Sequence, residues 1–327
     1  MAAQLLNPGS LTGKPHRPTD LHRRALGLDV EEGCIQRTES VKRRHGSHPY
    51  TLAGCASEAG RLADVERLED FDITCVLAEN PGPFTLDGSN SWLIGRDPCW
   101  IVDPGPPIDS HLDRLAGEAA VRGGVGGIAI THDHADHSGG LEGLLERVGD
   151  VPVGAAAVSR ASELLADGDD FGPLTAIATP GHAPDHLAFL AGEALFTGDA
   201  VLGHGSVYIS PDENALAGYL NALDRLIALE LNLLCPGHGG PIFGDEARAR
   251  LIEYRDHRLD RERMLIEALE GGARSSDEML AHAWGDVPAI LKPAAEATLA
   301  AHIDKLAAEG RLPAGAQRPD IGEYGGL

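Results

Sequence analysis

Ten residues in the middle of the chain concentrate side chains that bind metal ions. Residues 131–140 have the sequence Thr-His-Asp-His-Ala-Asp-His-Ser-Gly-Gly and place His132, His134, Asp136 and His137 within six positions. Imidazole nitrogens and carboxylate oxygens are ligands for zinc and related first-row metals. Because histidine is an uncommon residue, a polar loop that gathers four candidate ligands by chance is the weaker interpretation. The stretch therefore predicts a metal site.

The flanking sequence predicts where this site lies in the fold. Residues 125–131 are apolar and suited to a buried strand, and residues 138–148 carry leucines at helical spacing. The candidate ligands therefore lie on a loop between the C-terminal end of a strand and the start of a helix. Open α/β folds place their binding sites at such strand ends.

Three later segments each carry one more candidate ligand, on a turn that contains glycine and follows an apolar run. They are Thr-Pro-Gly-His182, Phe-Thr-Gly-Asp199 and Cys-Pro-Gly-His238. Together with the first stretch, and in this order, they resemble the metallo-β-lactamase superfamily and its motif His-x-His-x-Asp-His. One Pro-Gly-His tripeptide would be weak evidence, whereas four segments in the right order are a specific signal.

The resemblance implies a site for two metals, expected to be zinc ions, with Asp136 and Asp199 as the catalytic carboxylates. The implied ligands are His132, His134 and His182 for the first metal, Asp136, His137 and His238 for the second, and Asp199 as the bridge between them. A glutamate at position 134 would have suggested a di-iron oxidoreductase, and a cysteine at position 199 a true β-lactamase. The chain has neither.

Strand and helix patterns divide the chain into three predicted regions. Residues 1–69 show no sustained apolar period, so we expect a disordered N-terminal extension. Residues 70–245 are expected to form the metallo-β-lactamase domain, an αββα sandwich of the α/β (α+β) class with a hairpin over 91–103 and a short helix over 159–166. Residues 246–327 carry three helix patterns that resemble a winged-helix module.

The implied function is that of a metal-dependent hydrolase in which a hydroxide bridging the two metals is the nucleophile. The run from Asn80 to Asn90 is similar to the branch of the superfamily that includes β-lactamase-like protein 2, an endoribonuclease, so single-stranded RNA is one expected substrate. The alternatives are a small-molecule acyl hydrolase (thioesterase or lactonase), a mono-iron sulfur dioxygenase, and a winged-helix binding protein with a vestigial sandwich.

Five further residues have interpretations that the sequence leaves open. Asn90 faces the substrate or forms an Asx turn, and Asp103 supports the metal site from behind, as the resemblance implies, or simply forms a turn. His186 orients a ligand or lines the pocket without binding metal. His204 is a candidate for substrate contact. Cys235 is expected to be a small buried apolar residue and not a ligand.

Charge and cysteine content limit the partners. The net charge is −23, and residues 70–327 hold 17 Lys/Arg against 41 Asp/Glu, a net charge of −24. Such a body repels polyanions, so neither double-stranded DNA nor non-specific nucleic-acid binding is expected. Five scattered cysteines predict a reduced, cytoplasmic protein. No apolar run approaches membrane-spanning length, so no membrane partner is expected, and a homodimer stays possible.

Overall fold

Two mixed β-sheets organise residues 67–321, the part of the chain that this computed structural model describes. The first sheet holds, in order across it, β1 (Ile73–Leu77), β2 (Asn90–Ile94), β3 (Cys99–Val102), β4 (Val125–Ala129), β5 (Val153–Ala155) and β6 (Glu163–Leu164). The second sheet holds, in order across it, β7 (Asp170–Phe171), β8 (Leu174–Ala178), β9 (Leu187–Ala191), β10 (Ala194–Gly198), β11 (Leu233–Pro236) and β12 (Ile242–Phe243). The strands β3 to β6 run parallel, as do β10 and β11, and the other neighbours are antiparallel.

The described helices are α1 (Asp109–Val121), α2 (Leu141–Val148), α3 (Ala215–Ile227), α4 (Asp245–Glu270), α5 (Ser276–Ala283) and α6 (Lys292–Ala308), with a 3₁₀ turn at Ala289–Leu291. α1 and α2 cover the outer face of the first sheet, and α3 covers that of the second. Among the described residues, no helix is both long and apolar enough to cross a lipid bilayer.

The strands are apolar on both faces because each sheet is covered on both sides. Trp92 and Phe196 point into the layer between the sheets, where their rings meet edge to face at 6.1 Å. Their neighbours point outward, so that Leu93 packs under α1 and α2 and Leu195 packs under α3. Alternate residues thus build three stacked cores, and the predicted αββα sandwich is confirmed.

Two local predictions had different outcomes. The hairpin over 91–103 is confirmed, because β2 and β3 pair antiparallel around Gly95–Pro98. The short helix over 159–166 is wrong, because β6 lies there and pairs in parallel with β5. Without a partner on this side, β5 would leave an unpaired sheet edge. The backbone amides of Ser162 and Leu165 donate to carbonyls of β5 and so pair that edge. An exposed sheet edge outweighs weak helix propensity in so short a segment.

The C-terminal region consists of α4, α5 and α6 around a small core of its own, which includes Leu265, Met279 and Leu299. α5 begins with the capping box of Ser275 and Glu278. The three predicted helices are present. The described residues up to Ile321 contain no strand after β12, so the β-wing of a winged-helix module is not found there.

Two residues of the predicted N-terminal extension that lie within the described part of the chain pack against the fold. Leu68 is buried in the core between the sheets, and the Arg67 guanidinium lies 3.7 Å from the centre of the Phe243 ring. The rest of the predicted disordered extension lies outside the described residues.

Candidate metal centre

All the predicted ligands meet at one edge of the sandwich. The loop after β4 carries the first four, and the turns after β8, β10 and β11 carry one each. These strand ends lie side by side, and an antiparallel bridge between Ser89 and His238 joins the two sheets there. The predicted ligands are therefore neighbours in space, although more than 100 residues separate the first from the last.

Three histidines form the first candidate metal position. His134 Nδ1 lies 2.9 Å from His132 Nε2 and 3.1 Å from His182 Nε2. Nitrogens around a tetrahedral zinc with Zn–N bonds of 2.0–2.1 Å lie about 3.3 Å apart. The three rings thus converge on one point at spacings close to those of a metal site, and the ligand atoms of all three lie within 4.8 Å of one another.

One aspartate and two histidines form the second candidate position. His238 Nε2 lies 3.3 Å from both Asp136 Oδ2 and His137 Nε2, and the latter two atoms are 3.5 Å apart. The donor set of nitrogen and carboxylate oxygen suits zinc, iron or a related first-row metal.

Asp199 lies between the two positions. Its Oδ1 is 3.4 Å from both His137 Nε2 and His238 Nε2, whereas its Oδ2 is 3.6 Å from His182 Nε2. Oδ1 is buried and accepts no hydrogen bond from the described residues. A buried carboxylate oxygen without a donor is costly, and a cation at this point would satisfy it. The residues present therefore fit bound metal, with Asp199 facing both positions.

Glycines allow the ligand turns to approach so closely. A Cβ on Gly237 would lie 2.5 Å from Asp199 Oδ1 and 2.7 Å from His137 Cε1. Gly198 has a φ of +46°, and a Cβ there would lie 2.8 Å from His186 Nε2. Side chains at these positions would displace the ligands.

Hydrogen bonds at the far ring nitrogens fix the orientation of the histidines. The Nδ1 of His137 donates to Asp103 Oδ2 at 2.9 Å, and the Nδ1 of His238 donates to the Gly88 carbonyl at 3.1 Å. His182 Nδ1 donates to a carbonyl at 3.3 Å. Because carboxylates and carbonyls only accept, each Nδ1 carries the proton and each Nε2 presents its lone pair to the metal position.

Asp103 supports the site from behind, as the resemblance implies. It accepts hydrogen bonds of 2.8 Å from both the backbone N–H and the hydroxyl of Thr131. That hydroxyl in turn accepts from His132 Nδ1 at 3.0 Å. One carboxylate therefore orients His137 directly and His132 through Thr131.

His186 positions a ligand and does not bind metal. Its Nε2 accepts the backbone N–H of Asp199 at 3.1 Å, and its Nδ1 donates to the Thr179 hydroxyl at 2.7 Å. Both ring nitrogens are thus occupied, which confirms the interpretation that His186 orients a ligand.

Asn90 has neither of its two predicted roles. It is buried, and its side-chain amide donates to the carbonyls of Pro236 and Gly239 at 2.9 and 2.8 Å. It thereby holds the turn that carries His238. Both interpretations failed because these partners are almost 150 residues away in sequence.

Two supporting residues were not identified from the sequence. The Ser89 hydroxyl donates to Asp136 Oδ2 at 3.1 Å and accepts from the Asn80 side-chain amide at 2.9 Å. The run from Asn80 to Asn90 was noted for its resemblance only, and no local pattern marks a serine as the partner of a distant carboxylate.

Cys235 is buried among apolar side chains, as predicted. His204 is half-buried, and its contact with substrate stays a prediction.

The charges of the site divide the histidines into two classes. Burial is the main cause that lowers the pKa of His132 far below its usual value and that of His182 to about 4, so both rings are neutral at pH 7. Burial also acts on His238, but Asp199 and Asp136 raise its pKa to about 9. Burial opposes ionisation of Asp199, yet His238 and His137 hold its pKa well below its usual range. A bound cation would replace the protons on His137 and His238.

An apolar cleft opens beside the metal centre. It lies between the loops after β1 and β10 and the helices α4 to α6. Its walls are mainly aliphatic and aromatic, formed by Phe84, Leu86, Leu202, Val207, Trp284, Val287, Leu291, Ala294 and Ala295. His182 and Asp199 form the end of the cleft at the metal centre.

Known proteins are similar to this chain in sequence. Residues 84–163 and 157–238 match the family model of the metallo-beta-lactamase superfamily. A beta-lactamase-like protein 2 homolog of Caenorhabditis elegans is 32% identical over 267 residues, 75% of this chain and 87% of that protein. An atrochrysone carboxyl ACP thioesterase of Aspergillus chevalieri is 33% identical over 274 residues, 77% of this chain and 85% of that protein.

A solved structure is also similar. A metallo-beta-lactamase family protein of Thermus thermophilus has a TM-score of 0.58 at 25% identity, covering 73% of this chain and 94% of its own. The relatives match this chain over most of their own length. The geometry of the candidate ligands agrees with the family that these relatives indicate. The chain belongs to the metallo-β-lactamase superfamily and is a metal-dependent hydrolase.

Proposed function

We propose that this protein is a dinuclear hydrolase that cleaves the thioester or ester of an apolar acyl group. The observation that carries the proposal is the apolar cleft that leads to the metal centre. Such walls suit a hydrocarbon or aromatic acyl group and exclude water from it. A thioesterase is named among the relatives, which supports the same substrate class.

The number of metals is part of the proposal. Two groups of three ligands lie side by side, and Asp199 approaches a histidine of each. A mono-iron dioxygenase would not need Asp136 and His238 as ligands. The three histidines of the first position favour zinc there, and we propose zinc at the second position as well.

The residues of the chain divide the remaining work. The chemistry that two bound metals would supply is an activated water and stabilisation of negative charge on the attacked carbonyl. The Asp199 carboxylate, which His238 and His137 keep ionised, would help to hold the metals. Asp136 is held in place by the Ser89 hydroxyl, and the cleft walls orient the acyl chain.

RNA is the substrate that this cleft favours less. Of its described lining residues, only Arg258 carries a permanent positive charge, and that side chain is buried. A protein that binds a phosphate backbone neutralises several phosphates with exposed lysine or arginine. The RNA hypothesis therefore depends on contacts outside the cleft.

The test is metal analysis together with an activity screen. We expect close to two zinc equivalents, hydrolysis of acyl thioesters, and loss of this activity on chelation. His134→Ala should remove metal and most turnover, whereas His282→Ala, at an exposed position on α5, should change neither. A fully active metal-free preparation would refute the metal mechanism, and RNA cleavage without thioester turnover would refute the acyl substrate.

A further inference from the structure

A buried arginine lies in the wall of the cleft. Arg258, on α4, is only 2% exposed. Its Nη2 donates to the Ser206 hydroxyl at 2.8 Å and to the Val207 carbonyl, but its Nε is buried and finds no acceptor among the described residues. The guanidinium is thus only partly satisfied, and Arg258 is one of the residues that line the cleft.

This guanidinium also lacks a counter-ion. No carboxylate of the described residues lies within 4.0 Å of it. The acids nearby are already paired: Glu262 with Lys305 at 2.8 Å, and Asp286 with Arg261 at 2.7 Å. The ring of Tyr219, 5.7 Å from the guanidinium carbon, contributes a cation–π contact but no negative charge.

The unpaired charge has a physical consequence. Arginine does not lose its proton in proteins, so it cannot become neutral as a buried lysine does. A buried ion without a partner is strongly destabilising, and buried charges are therefore normally paired. Of the described residues that line the cleft, only the metal-site Asp199 has a carboxylate, and it faces the histidines. The missing negative charge is best supplied from the cleft itself.

We propose that Arg258 binds a carboxylate of the substrate, at the end of the acyl group remote from the scissile bond. The preferred substrates are then thioesters or esters of acids that carry a second, free carboxylate. A single guanidinium matches the one charge of a carboxylate, whereas a phosphate dianion would call for further donors. Trp284 and Val287 would contact the apolar middle of the chain. This inference rests on the proposed acyl substrate.

Binding of product analogues tests the proposal without turnover. In calorimetry on the metal-loaded protein, α,ω-dicarboxylates of four to eight carbons are compared with monocarboxylates of equal length, since both kinds offer one carboxylate to the metals. At least one dicarboxylate should bind roughly 10- to 100-fold more tightly, the range of a charge-assisted hydrogen bond. Arg258→Gln should abolish this preference, and Arg255→Gln, at a surface position three residues earlier, should keep it.

Kinetic measurements distinguish a failure of the proposed role of Arg258 from a failure of the proposed acyl hydrolase activity. N-acetylcysteamine thioesters of the same dicarboxylic acids are compared with their neutral methyl esters. The free acids should have the higher kcat/KM in the wild type, and Arg258→Gln should remove the difference while it leaves the methyl esters almost unchanged. Hydrolysis of both at equal rates would refute the role of Arg258 and leave the acyl hydrolase intact. Hydrolysis of neither would refute the acyl hydrolase, and calorimetry would still decide on Arg258.

Two further controls complete the design. Arg258→Lys keeps the charge if Arg258→Gln fails to fold, and it should retain part of the dicarboxylate preference. Inorganic phosphate is titrated as a competitor. Phosphate that binds more tightly than every dicarboxylate, in a manner that depends on Arg258, would overturn the carboxylate assignment. The same conclusion follows if no dicarboxylate exceeds its matched monocarboxylate in the wild type.

Discussion

The ligand side chains owe their positions to partners on their non-coordinating atoms. Asp103 orients two of the predicted ligands at once, His137 directly and His132 through Thr131. His186 does the same for the backbone of Asp199. Buried hydrogen bonds therefore surround the candidate ligands, and the affinity of the site for metal depends on them.

Asp103→Asn should lower zinc affinity. The substitution keeps the size of the side chain, but one acceptor oxygen becomes an amide NH₂. In one orientation this NH₂ opposes the backbone N–H of Thr131, and in the other it opposes both the Thr131 hydroxyl and the Nδ1–H of His137. We expect the zinc dissociation constant to rise roughly 10- to 100-fold, measured by competition with a chelator. Asp97→Asn is the matched control, because Asp97 shares the left-handed backbone but is exposed. Equal affinity of the two variants would contradict the role of Asp103.

The long helix α4 links the sandwich to the C-terminal helices, and ion pairs secure the contact with α6. Glu262 is 7% exposed and accepts from Lys305 at 2.8 Å and from Arg311 at 3.2 Å. The His302 ring, at 3.9 Å, and the Lys305 ammonium lower the pKa of Glu262 to about 2. Because the shorter contact is the one to Lys305, we ascribe the larger part of the effect to that residue.

Glu262→Gln should destabilise the protein in a manner that depends on pH. A pKa lowered from 4.5 to about 2 corresponds to about 3 kcal/mol of stability. The folded pKa is depressed, so this contribution is present above pH 4.5 and is lost as the pH falls towards 2. Urea unfolding of wild type and variant from pH 7 to pH 3 should show the difference narrowing. Glu267→Gln, on the same helix but half exposed, should show little difference at any pH.

The whole molecule carries a net charge of −23, which affects charged and neutral substrates differently. A neutral thioester needs no long-range attraction, whereas RNA approaches against repulsion. A homodimer and a cytoplasmic location stay predictions from the sequence.

Ionic strength should therefore distinguish the two substrate classes. We expect kcat/KM for a neutral thioester to change little below ~0.2 M salt. Any cleavage of single-stranded RNA should be slow and should show a shallow salt dependence. Each neutralised phosphate contributes a slope of about 0.7 on single strands, and we expect this acidic protein to neutralise few phosphates. A steep loss of RNA cleavage with salt would instead indicate a basic groove.

The sequence alone determined the sandwich and the positions of all candidate ligands. Each candidate ligand lies in a short motif at the end of an apolar strand, as with His182 after β8 and His238 after β11. A strand end followed by a glycine turn can be recognised from the local sequence. The three C-terminal helices were predicted for the same reason, since their apolar spacing and caps are local. The local helix pattern at 159–166 was wrong, because the free edge of β5 decided the outcome there.

Tertiary structure decided every role that depends on distant partners. Asn90 holds a turn almost 150 residues away, and Ser89 supports Asp136 from 47 residues away. Arg258 is one of many arginines in an acidic sequence, and only the fold shows that it is buried in the wall of the cleft while neighbouring acids pair elsewhere. Hydrogen bonds and charge pairing act over a few ångströms in space, and the separation of residues along the chain does not reveal which of them come that close.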